Sequence, residues 1–317
     1  MTAAARPALH EPERILVVKL GALGDVVLAA GPFAAIRRHH PGAHVVLLTG
    51  AAYADFLRPS GWFDEIWTDD RPPLWCVNRW LALRARLRAG RFDRVYDLQT
   101  SDRSGWYYRL MGPGARPEWS GIARGCSHPH ANDRRDFMHT VERQAEQLAM
   151  AGIEAVPAAD FGWAAADVAR FSLPARYALL VPGGASHRPA KRWPASAYAA
   201  LARDLAAKGV TPVVLGGRDE ARLAAAITAG CPEARDLTGR TGLADIAVLA
   251  RGAAGAVGND TGPMHLIAAA GCPSLVLFSA ESDPALTAPT GPNVGILSCK
   301  RLADLQVAEV EAGFTMR

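Results

Sequence analysis

The chain has 317 residues, of which 50% are hydrophobic and 21% charged, the balance of a soluble globular protein. This length suits two domains of ordinary size. No apolar run approaches the ~18 residues that a membrane-spanning helix needs, and residues 1–14 lack the apolar segment of a secretory signal. The five cysteines are scattered without a C-x-x-C pair, which predicts reduced thiols in a cytoplasmic protein and no metal site.

The net charge of +4 is unevenly distributed along the chain. Between Arg71 and Arg143 there are fourteen arginines, no lysine and seven acidic residues, a local net charge of +7. Such a basic region favours an anionic partner, for example a phosphate, a carboxylate sugar or a membrane headgroup; the simpler alternative is a solvated helix surface. No recognised nucleic-acid motif accompanies the charge, so nucleic acid is not an expected partner.

The N-terminal half alternates short apolar strands with amphipathic helices. Strands are predicted at residues 14–18, 44–48, 65–67 and 94–98, and helices at residues 25–39, 74–89 and 137–151. This alternation is typical of a parallel, doubly wound sheet. Residues 152–174 are rich in Ala, Pro and Gly with weak periodicity, and we interpret them as the crossing between two domains.

The same alternation restarts after the crossing. Strands are predicted at residues 177–181, 211–215, 253–257 and 274–278, and helices at residues 195–208, 220–229, 243–251 and 261–270. The predicted fold class is therefore α/β, with two doubly wound halves of similar size. Because ligands of such sheets lie at the carboxyl ends of the strands, the loops there are expected to open into a cleft between the halves.

The loop after the first strand, residues 19–25, reads Lys-Leu-Gly-Ala-Leu-Gly-Asp. Its G-x-x-G spacing differs from the G-x-G-x-x-G of dinucleotide-binding folds, and no carboxylate ends the second strand, so a dinucleotide oxidoreductase is disfavoured. Gly21 and Gly24 allow a sugar to approach the backbone, and Asp25 could accept a proton from a substrate hydroxyl. The alternative is that Asp25 only caps the helix.

A second loop, residues 182–194, carries several candidates for binding an anionic donor. It contains Gly183, Ser186, Lys191 and Arg192 between a strand and a helix, but no Gly-Lys-Ser/Thr that would make it a Walker loop. The lysine and the arginine could neutralise a diphosphate as it leaves. They could equally lie on the surface, and Trp193 is expected to pack rather than to stack on a ligand.

The segment 258–265, Gly-Asn-Asp-Thr-Gly-Pro-Met-His, joins a predicted strand to a predicted helix. Free backbone N–H groups and the helix dipole at such a start attract a phosphate, with Gly262 allowing close approach. Asp260 and His265 add a carboxylate and an imidazole at the same point. The alternative is an ordinary capped helix, with Asp260 or Thr261 as the cap.

Two further groups of residues are weaker candidates. Glu220 and Thr238 follow strands of the second half and could bind a nucleotide, although such residues are more often caps or turns. His139 and Arg143, four apart on a predicted helix, would point to the same side, with Arg135 just before them. This basic cluster could clamp a carboxylate or a phosphate, or it could be a solvated helix face.

In combination, four segments resemble glycosyltransferase family 9, the ADP-heptose:lipopolysaccharide heptosyltransferases. The segments are residues 15–25, residues 182–194 with Lys-Arg-Trp-Pro, residues 236–243 with Asp-Leu-Thr-Gly-Arg-Thr-Gly-Leu, and residues 257–265. The resemblance implies a GT-B fold, in which two Rossmann-like domains face each other across a cleft. It implies an acceptor-binding domain at residues 1–160 and a nucleotide-sugar donor domain at residues 161–317, with a final helix able to pack back on the first.

The resemblance also implies an activity: inverting transfer of a heptose or related sugar from an ADP-sugar to an anionic, lipid-linked core acceptor, without metal or other cofactor. Asp25 matches the family's general base, and Lys191 matches a position that holds the donor. Asp260, Thr261, Gly262 and His265 match the donor loop. The remaining donor candidates are Gly183, Ser186, Arg192, Glu220 and Thr238, and the acceptor candidates are Gly24, Arg135, His139 and Arg143.

Such an enzyme is expected in the cytoplasm, with peripheral contact to the inner face of the inner membrane because its acceptor is lipid-anchored. Three alternatives stay open: an epimerase or a hydrolase acting on a nucleotide sugar, and a non-catalytic protein that binds one. One departure from the family follows the last predicted strand, where Phe278 to Pro284 reads Phe-Ser-Ala-Glu-Ser-Asp-Pro instead of a glycine and a short Thr/Ser-x-Pro turn. The donor sugar is therefore assigned by kinship alone.

Overall fold

The computed structural model describes residues 12–73, 75–112, 116–184 and 189–317. Strand bounds follow the predictions closely. The strands are β1 (Arg14–Val18), β2 (His44–Thr49), β3 (Glu65–Thr68), β4 (Arg94–Asp97), β5 (Glu118–Gly121), β6 (His128–Pro129), β7 (Tyr177–Val181), β8 (Thr211–Val214), β9 (Arg235–Asp236), β10 (Gly255–Asn259), β11 (Ser274–Ser279) and β12 (Val294–Cys299).

Helices connect almost all of these strands. They are α1 (Leu23–Leu28), α2 (Ala30–His39), α3 (Ala51–Leu57), α4 (Val77–Ala89), α5 (Asp102–Met111), α6 (Thr140–Ala149), α7 (Ala195–Ala207), α8 (Ala221–Gly230), α9 (Leu243–Gly252), α10 (Gly262–Ala269), α11 (Pro284–Thr287) and α12 (Val307–Gly313). Among the residues that the structure describes, no helix is long and apolar enough to cross a membrane.

Two six-stranded parallel sheets form the frame of the molecule. The first has the order β3-β2-β1-β4-β5-β6 and the second β12-β11-β10-β7-β8-β9. Each order reverses direction next to its central strands, as in a doubly wound fold. The central strands are nearly continuous runs of Val, Leu and Ile. This composition is expected because helices cover both faces of a parallel sheet and so bury its side chains. The predicted α/β class with two doubly wound halves is confirmed.

The core is continuous between the two halves. One cluster fills the face of the first sheet under α4 and α5, with Val18, Tyr107 and Trp119 fully buried. A larger cluster joins residues of both halves, for example Val17 of β1 and Met264 of α10. The crossing segment contributes Phe161, whose ring stacks on Phe56 of α3.

Helix bounds differ from the predictions in two places that matter for the site. The helix expected at residues 25–39 begins earlier, at Leu23, and is two helices that meet at Ala29. The helix expected at residues 137–151 begins only at Thr140, after a separate 3-10 turn. Periodicity could not show either break, because the apolar residues keep the same spacing through them.

The last helix corrects a further expectation. α12 lies against α7 and β12, and its Val310 is fully buried in the core cluster of the second half. The expectation that the final helix packs back on the N-terminal half is therefore wrong. Its Val310 joins Tyr198 and Leu201 of α7 in one cluster on the same face of the second sheet, which an isolated helical pattern cannot reveal.

Candidate active site between the two sheets

The starts of α1 and α10 lie in direct contact. A Cβ added to Gly24 would be 2.9 Å from the ring of His265, and one added to Gly262 would be 2.7 Å from Cβ of Leu23. Both distances are well below van der Waals contact, so the helices approach this closely only with glycine at both positions. The structure thus brings together the two loops that the sequence indicated separately in its two halves.

Asp25 lies in the first turn of α1 at the edge of this contact. One of its carboxylate oxygens accepts a hydrogen bond from the backbone N–H of Ala22 at 3.1 Å. Within the described ranges this is the one hydrogen bond recorded for the side chain, which is half-buried. The capping alternative therefore accounts for one oxygen of Asp25, while the carboxylate stays at the mouth of the cleft.

The loop that carries Asp25 is held by side chains that the sequence analysis missed. Gly21 has φ +115°, and a Cβ there would lie 2.6 Å from the ring of Tyr53, so a larger residue is excluded by strain and by space. Arg71 donates a hydrogen bond to the carbonyl of Leu20. Tyr53 follows β2 and Arg71 follows β3, two neighbouring strands of the parallel sheet. Their position at the same carboxyl edge is the one signal in the sequence that could have indicated them.

Two buried charges lie behind the same loop. Lys19 donates from Nζ to the carbonyl of Leu98 at 3.0 Å, and burial lowers its pKa against the opposing charges of Asp25 and Asp97. Burial raises the pKa of Asp97 to about 6, although its Oδ1 accepts hydrogen bonds from the backbone N–H groups of Gln99 and Thr100. Buried ionisable groups of both signs therefore contribute to the electrostatic potential at the Asp25 carboxylate.

A pocket of about 370 Å³ opens at the carboxyl edge of the second sheet. Most of its lining is glycine or backbone from three strand-to-helix loops, which leaves room for a ligand beside the main chain. The lining residues are Val181, Gly183, Gly184, Gly216, Gly217, Glu220, Asp260, Thr261, Gly262 and Pro263. Gly262 also touches Leu23, so this pocket and Asp25 lie on either side of one contact.

An ion pair lies at the rim of this pocket. Lys191 Nζ is 2.8 Å from Asp260 Oδ2, and both side chains are nearly buried. Ser282, in the turn where the chain departs from the family pattern, donates to the same oxygen at 2.7 Å. Arg192 donates to the carbonyl of Gly184 at 2.6 Å. Lys191 and Arg192 are thus fixed at the pocket instead of lying free on the surface.

Asn259, to which the sequence analysis assigned no role, joins the loops that line this pocket. Its side-chain amide donates to the carbonyls of Pro182 and Gly183, and its oxygen accepts from Trp193 N–H and the Tyr198 hydroxyl. The residue is fully buried at the end of β10. An asparagine that ends an apolar strand was the available signal, since a buried amide must find partners. Trp193 is buried as expected, and its indole N–H donates to the carbonyl of Leu305.

The start of α10 is not capped by a side chain. Thr261 occupies the N-cap position but makes no capping bond, and among the described residues its hydroxyl is buried without a partner. Asp260, the other candidate cap, is engaged by Lys191 and Ser282 instead. Pro263 has no N–H and the N–H of Met264 donates to the carbonyl of Thr261. Among the described residues, the backbone N–H groups of Thr261 and Gly262 are therefore the ones left to face the pocket, an arrangement suited to an anion.

His265 is buried at the contact between the two helices. Burial lowers the pKa of its imidazole to about 4, although the carboxylates of Asp260 and Asp25 act in the opposite direction. Its Nδ1 finds no hydrogen-bond partner in the part of the chain that the structure describes. At neutral pH the ring is uncharged, so it can offer one N–H donor and one acceptor.

Glu220 and Thr238 behave mainly as turn residues. Glu220 accepts from the N–H of Gly217 at 2.8 Å but also lines the pocket. Thr238 bonds to Asp236 through its N–H and hydroxyl, and its methyl group would lie 3.2 Å from a Cβ on Gly216. Thr238 therefore borders the pocket without lining it. Ser186, the remaining donor candidate, lies outside the described residues.

The basic cluster near α6 is arranged differently from the prediction. His139 is the N-cap of α6, not a residue within it, so it does not share a helix face with Arg143. Its Nδ1 accepts from the N–H of Val141, and its Nε2–H donates to the carbonyl of Ala288 at 3.0 Å. Both ring nitrogens are thus engaged, and His139 links the N-terminal half to the segment after α11.

Arg143 and Arg135 remain close to the cleft. Burial lowers the pKa of Arg143, as does the nearby Arg135, while the carboxylates of Asp136 and Asp25 oppose the shift. The Arg143 guanidinium is half-buried and donates to Thr140 Oγ1 at 3.4 Å. Arg135 pairs with Asp136 at 2.9 Å. The structure therefore places two guanidinium groups on the Asp25 side of the cleft.

A larger cavity, of about 690 Å³, lies elsewhere. It is lined by residues that precede or begin strands of the first sheet, such as Glu13, Asp93 and Glu118, and so lies at the amino edge, away from Asp25. In doubly wound sheets the carboxyl edge carries the ligand site, so the smaller pocket is the better candidate. Among the residues with described positions, no group of His, Cys, Asp or Glu is arranged to hold a metal ion.

Comparison with known proteins agrees with this architecture. The family model described as glycosyltransferase family 9 (heptosyltransferase) matches residues 80–311. Lipopolysaccharide heptosyltransferase 1 of Pseudomonas aeruginosa is 27% identical over 302 residues, which cover 88% of this chain and 81% of that protein.

Solved structures share the fold over nearly the whole chain. A glycosyl transferase family 9 structure from Veillonella parvula has a TM-score of 0.81 at 19% identity, covering 95% of each chain. The structure of Escherichia coli ADP-heptose lps heptosyltransferase II has a TM-score of 0.77 at 23% identity, covering 95% of this chain and 97% of that one. The predicted GT-B fold is confirmed. Because the family model spans well over half of the sequence, the chain belongs to glycosyltransferase family 9.

Proposed function

We propose that this protein transfers a heptose or a closely related sugar from an ADP-sugar to an anionic acceptor of the lipopolysaccharide core. The transfer inverts the anomeric centre and uses neither a metal ion nor another cofactor. The enzyme works in the cytoplasm on an acceptor that is anchored in a lipid membrane. The Pseudomonas and E. coli proteins to which this chain is similar are lipopolysaccharide heptosyltransferases, which supports the choice of sugar and acceptor, as does membership of the family.

The donor is assigned to the pocket of the second sheet. A volume of about 370 Å³ lies within the range of small-molecule sites, ~300–1,000 Å³. The uncapped start of α10, with Thr261 and Gly262, binds the diphosphate through backbone N–H groups. Glu220 lies where it can accept from ribose hydroxyls, and Gly183 leaves room for the nucleotide.

Asp25 is proposed as the general base. In this mechanism its carboxylate takes the proton of an acceptor hydroxyl as that oxygen attacks the anomeric carbon from the side opposite the diphosphate. The bond between the anomeric carbon and the diphosphate oxygen breaks, and ADP leaves with the electron pair. The contact between Gly24 and His265 supports this role, because it holds the base beside the donor pocket.

Lys191 is proposed to stabilise the departing diphosphate. An ammonium group has three donors, of which one is directed at Asp260, so others remain for phosphate oxygens. Arg192 adds positive charge at the same rim. Together with the N–H groups of α10, these charges offset the negative charge that develops on the leaving group. Neutral His265 can orient a sugar hydroxyl without adding charge.

The acceptor is assigned to the Asp25 side of the cleft. Arg135 and Arg143 supply guanidinium groups for a carboxylate or phosphate of the acceptor, and Gly24 leaves space beside the base. His139 is assigned a different task from the one expected, since both its nitrogens are used within the protein. We propose that His139 fixes the position of the N-terminal half relative to the second half below the acceptor.

One observation carries this proposal: a contact that admits only glycine joins the start of α1, which bears the Asp25 carboxylate, to the start of α10, which no side chain of the described residues caps. The test is to incubate the purified protein with a panel of nucleotide sugars and a lipid-core acceptor, and to identify consumed donor and product by mass. We expect consumption of an ADP-heptose that requires the acceptor, retained in the presence of a chelator.

The same assay separates the alternatives. Conversion of a nucleotide sugar without acceptor would identify an epimerase, and rapid release of ADP and free sugar would identify a hydrolase. Binding of the donor without any turnover would identify a non-catalytic binding protein. Any of these three results would overturn the proposed transfer.

A further inference from the structure

Large apolar side chains that are exposed to solvent collect in one part of the molecule. Eight such side chains are found among the described residues, and six of them belong to the first sheet's loops and helix starts. The six are Trp75, Val77, Leu81, Trp106, Ile122 and Phe137. Trp75 and Phe137 are 81% and 77% exposed, values that are unusual for residues of this size.

Topology places all six at one edge of the first sheet. Trp75, Val77 and Leu81 follow β3, and Trp106 follows β4 in the second turn of α5. Ile122 follows β5, and Phe137 lies between β6 and α6. Because the strands are parallel, segments that follow them start at the carboxyl edge. Asp25 follows β1 at this same edge, so the apolar side chains lie on the side where the acceptor must arrive.

The face of α4 that carries two of these residues has no partner within the described protein. Trp80, Leu83 and Leu87 form its inner face and join the core cluster that includes Tyr107 of α5. Val77 and Leu81, four apart, lie about a quarter turn around the helix from that inner face and are more than half exposed. Burial in the protein's own core therefore does not explain why the sequence has apolar residues here.

Arginines surround these apolar side chains. Arg84 continues the face of α4 that carries Val77 and Leu81, at helical spacing from both, and it is exposed. The Arg109 guanidinium lies over the ring of Trp106, 4.8 Å from its centroid. The whole stretch from residue 71 to residue 143 contains fourteen arginines against seven acidic residues.

Aromatic and aliphatic side chains among arginines match the chemistry of an anionic membrane interface. Tryptophan prefers the headgroup region because its ring is apolar and its N–H is polar. Arginines beside it are attracted by negatively charged lipids, and the attraction adds to that of the buried apolar area. A solvated helix face, which is the ordinary explanation of an arginine-rich helix, would not need the exposed Trp75, Val77 and Leu81.

We propose that this edge docks on an anionic lipid bilayer. We call it the Trp75 surface and define it as Trp75, Val77 and Leu81 with Arg84, Trp106 and Arg109. The inference rests on the proposed lipid-anchored acceptor, whose sugar would enter the cleft from the membrane directly beside Asp25. The Trp75 surface inserts its apolar side chains at headgroup depth, and its arginines contact the lipid phosphates.

The test is cosedimentation of the full-length protein with vesicles, without donor or acceptor sugar. Vesicles of phosphatidylcholine with about one third phosphatidylglycerol should retain the protein, and pure phosphatidylcholine should retain far less, because the arginines need anionic lipid. The variant Trp75→Ser/Leu81→Ser should lower the partition coefficient at least about tenfold through lost apolar insertion. Salt of about 0.5 M should weaken binding of the wild type further, as expected for screened charges.

A matched control is available in the two exposed apolar residues that lie elsewhere. Met150→Ser/Ile296→Thr removes as many apolar side chains, and it should leave vesicle binding and the melting temperature unchanged. The proposal is wrong if the wild type does not sediment with anionic vesicles, in which case the surface serves a protein partner, or if both double variants lose binding equally.

Catalysis provides an independent comparison. Trp75→Ser/Leu81→Ser should lower transfer to a vesicle-bound acceptor while leaving transfer to a soluble acceptor fragment within about twofold, since Asp25 is untouched. Equal loss with both acceptors would show that the substitutions disturb the active site and would contradict docking. If no sugar is transferred to any acceptor, the proposed function fails, but vesicle binding still decides the docking proposal.

Discussion

The loops after β1 and β10 both leave the carboxyl end of a central strand, since β1 lies beside β4 in the first sheet and β10 lies beside β7 in the second. Both start a helix, and the two helix starts touch. Their charges are nevertheless arranged in opposite ways. Asp25 of the first loop bonds only its own helix within the described chain, whereas Asp260 of the second is tied to Lys191 and Ser282.

This difference corresponds to two different roles that a carboxylate can have in an active site. A carboxylate held in an ion pair is a weaker base, because the pair stabilises its ionised form. A carboxylate that positions a lysine for a phosphate works best when it stays ionised and paired. The difference therefore suits the roles proposed above, catalysis for the β1 loop and binding for the β10 loop, and the following substitutions test that division.

The largest effect is expected for Asp25→Asn. The amide keeps the size of the side chain but cannot accept a proton, so kcat should fall by roughly 10²–10⁴, the usual contribution of a general base. Affinity for ADP, measured by calorimetry, should stay unchanged because the donor pocket lies on the other side of the contact. Turnover within a few fold of the wild type would refute the assignment of Asp25 as base.

The next effect is expected for Lys191→Ala. It removes the charge that faces the leaving group and leaves Asp260 unpaired, so kcat/KM should fall by roughly 10²-fold. Arg192→Lys keeps a positive charge and should cost much less. Lys208→Ala, which removes an exposed ion pair with Glu311, is the matched control and should leave kcat/KM unchanged. Equal losses for Lys191→Ala and Arg192→Lys would show that Lys191 has no special role.

A smaller effect is expected for Gly24→Ala. The added methyl group would meet the His265 ring at 2.9 Å and push the two helix starts apart. We expect kcat to fall by about tenfold, because base and donor are then misaligned, with little change in ADP affinity. Gly105→Ala in α5, where a Cβ meets nothing within 4 Å, is the control. A Gly24→Ala enzyme as active as the control would show that this close contact is not needed.

The smallest effect concerns pH and His265, whose pKa burial lowers to about 4. An unfolded histidine takes up its proton near pH 6.5, so between pH 6.5 and 4 the unfolded state binds more protons than the folded one. Stability should therefore fall as pH falls through this window, by at most about 3 kcal/mol. Denaturant unfolding of the wild type and His265→Gln should show this loss in the wild type alone. A parallel pH dependence in both would place the titration elsewhere.

Much of the frame could be predicted because it depends on local patterns. Continuous runs such as Arg14–Val18 and Tyr177–Val181 are strands that parallel sheets bury on both faces, and their predicted bounds agree with the structure. Short elements such as α3, β6 and β9 were missed, since two to seven residues carry too little periodicity. The family resemblance is confirmed, whereas the roles of Asp25 and Lys191 stay predictions.

The arrangement of the site residues was less predictable. His139 and Arg143 have helical spacing, but the helix begins one residue after His139, because that imidazole caps it. Asn259, Tyr53 and Arg71 show no motif, and their roles come from partners distant in the chain. Spacing along a sequence predicts neighbours within an element but not which loops meet.

The sequence by itself determined the two parallel sheets, the glycine-rich loops after their central strands and the basic character of the first half, because these depend on residues close in the chain. Only the tertiary structure decided that Gly24 meets His265, that Lys191 pairs with Asp260, and that six exposed apolar side chains share the edge of Asp25. These are contacts or shared surfaces between segments far apart in sequence, and they exist only once both sheets have formed and packed together.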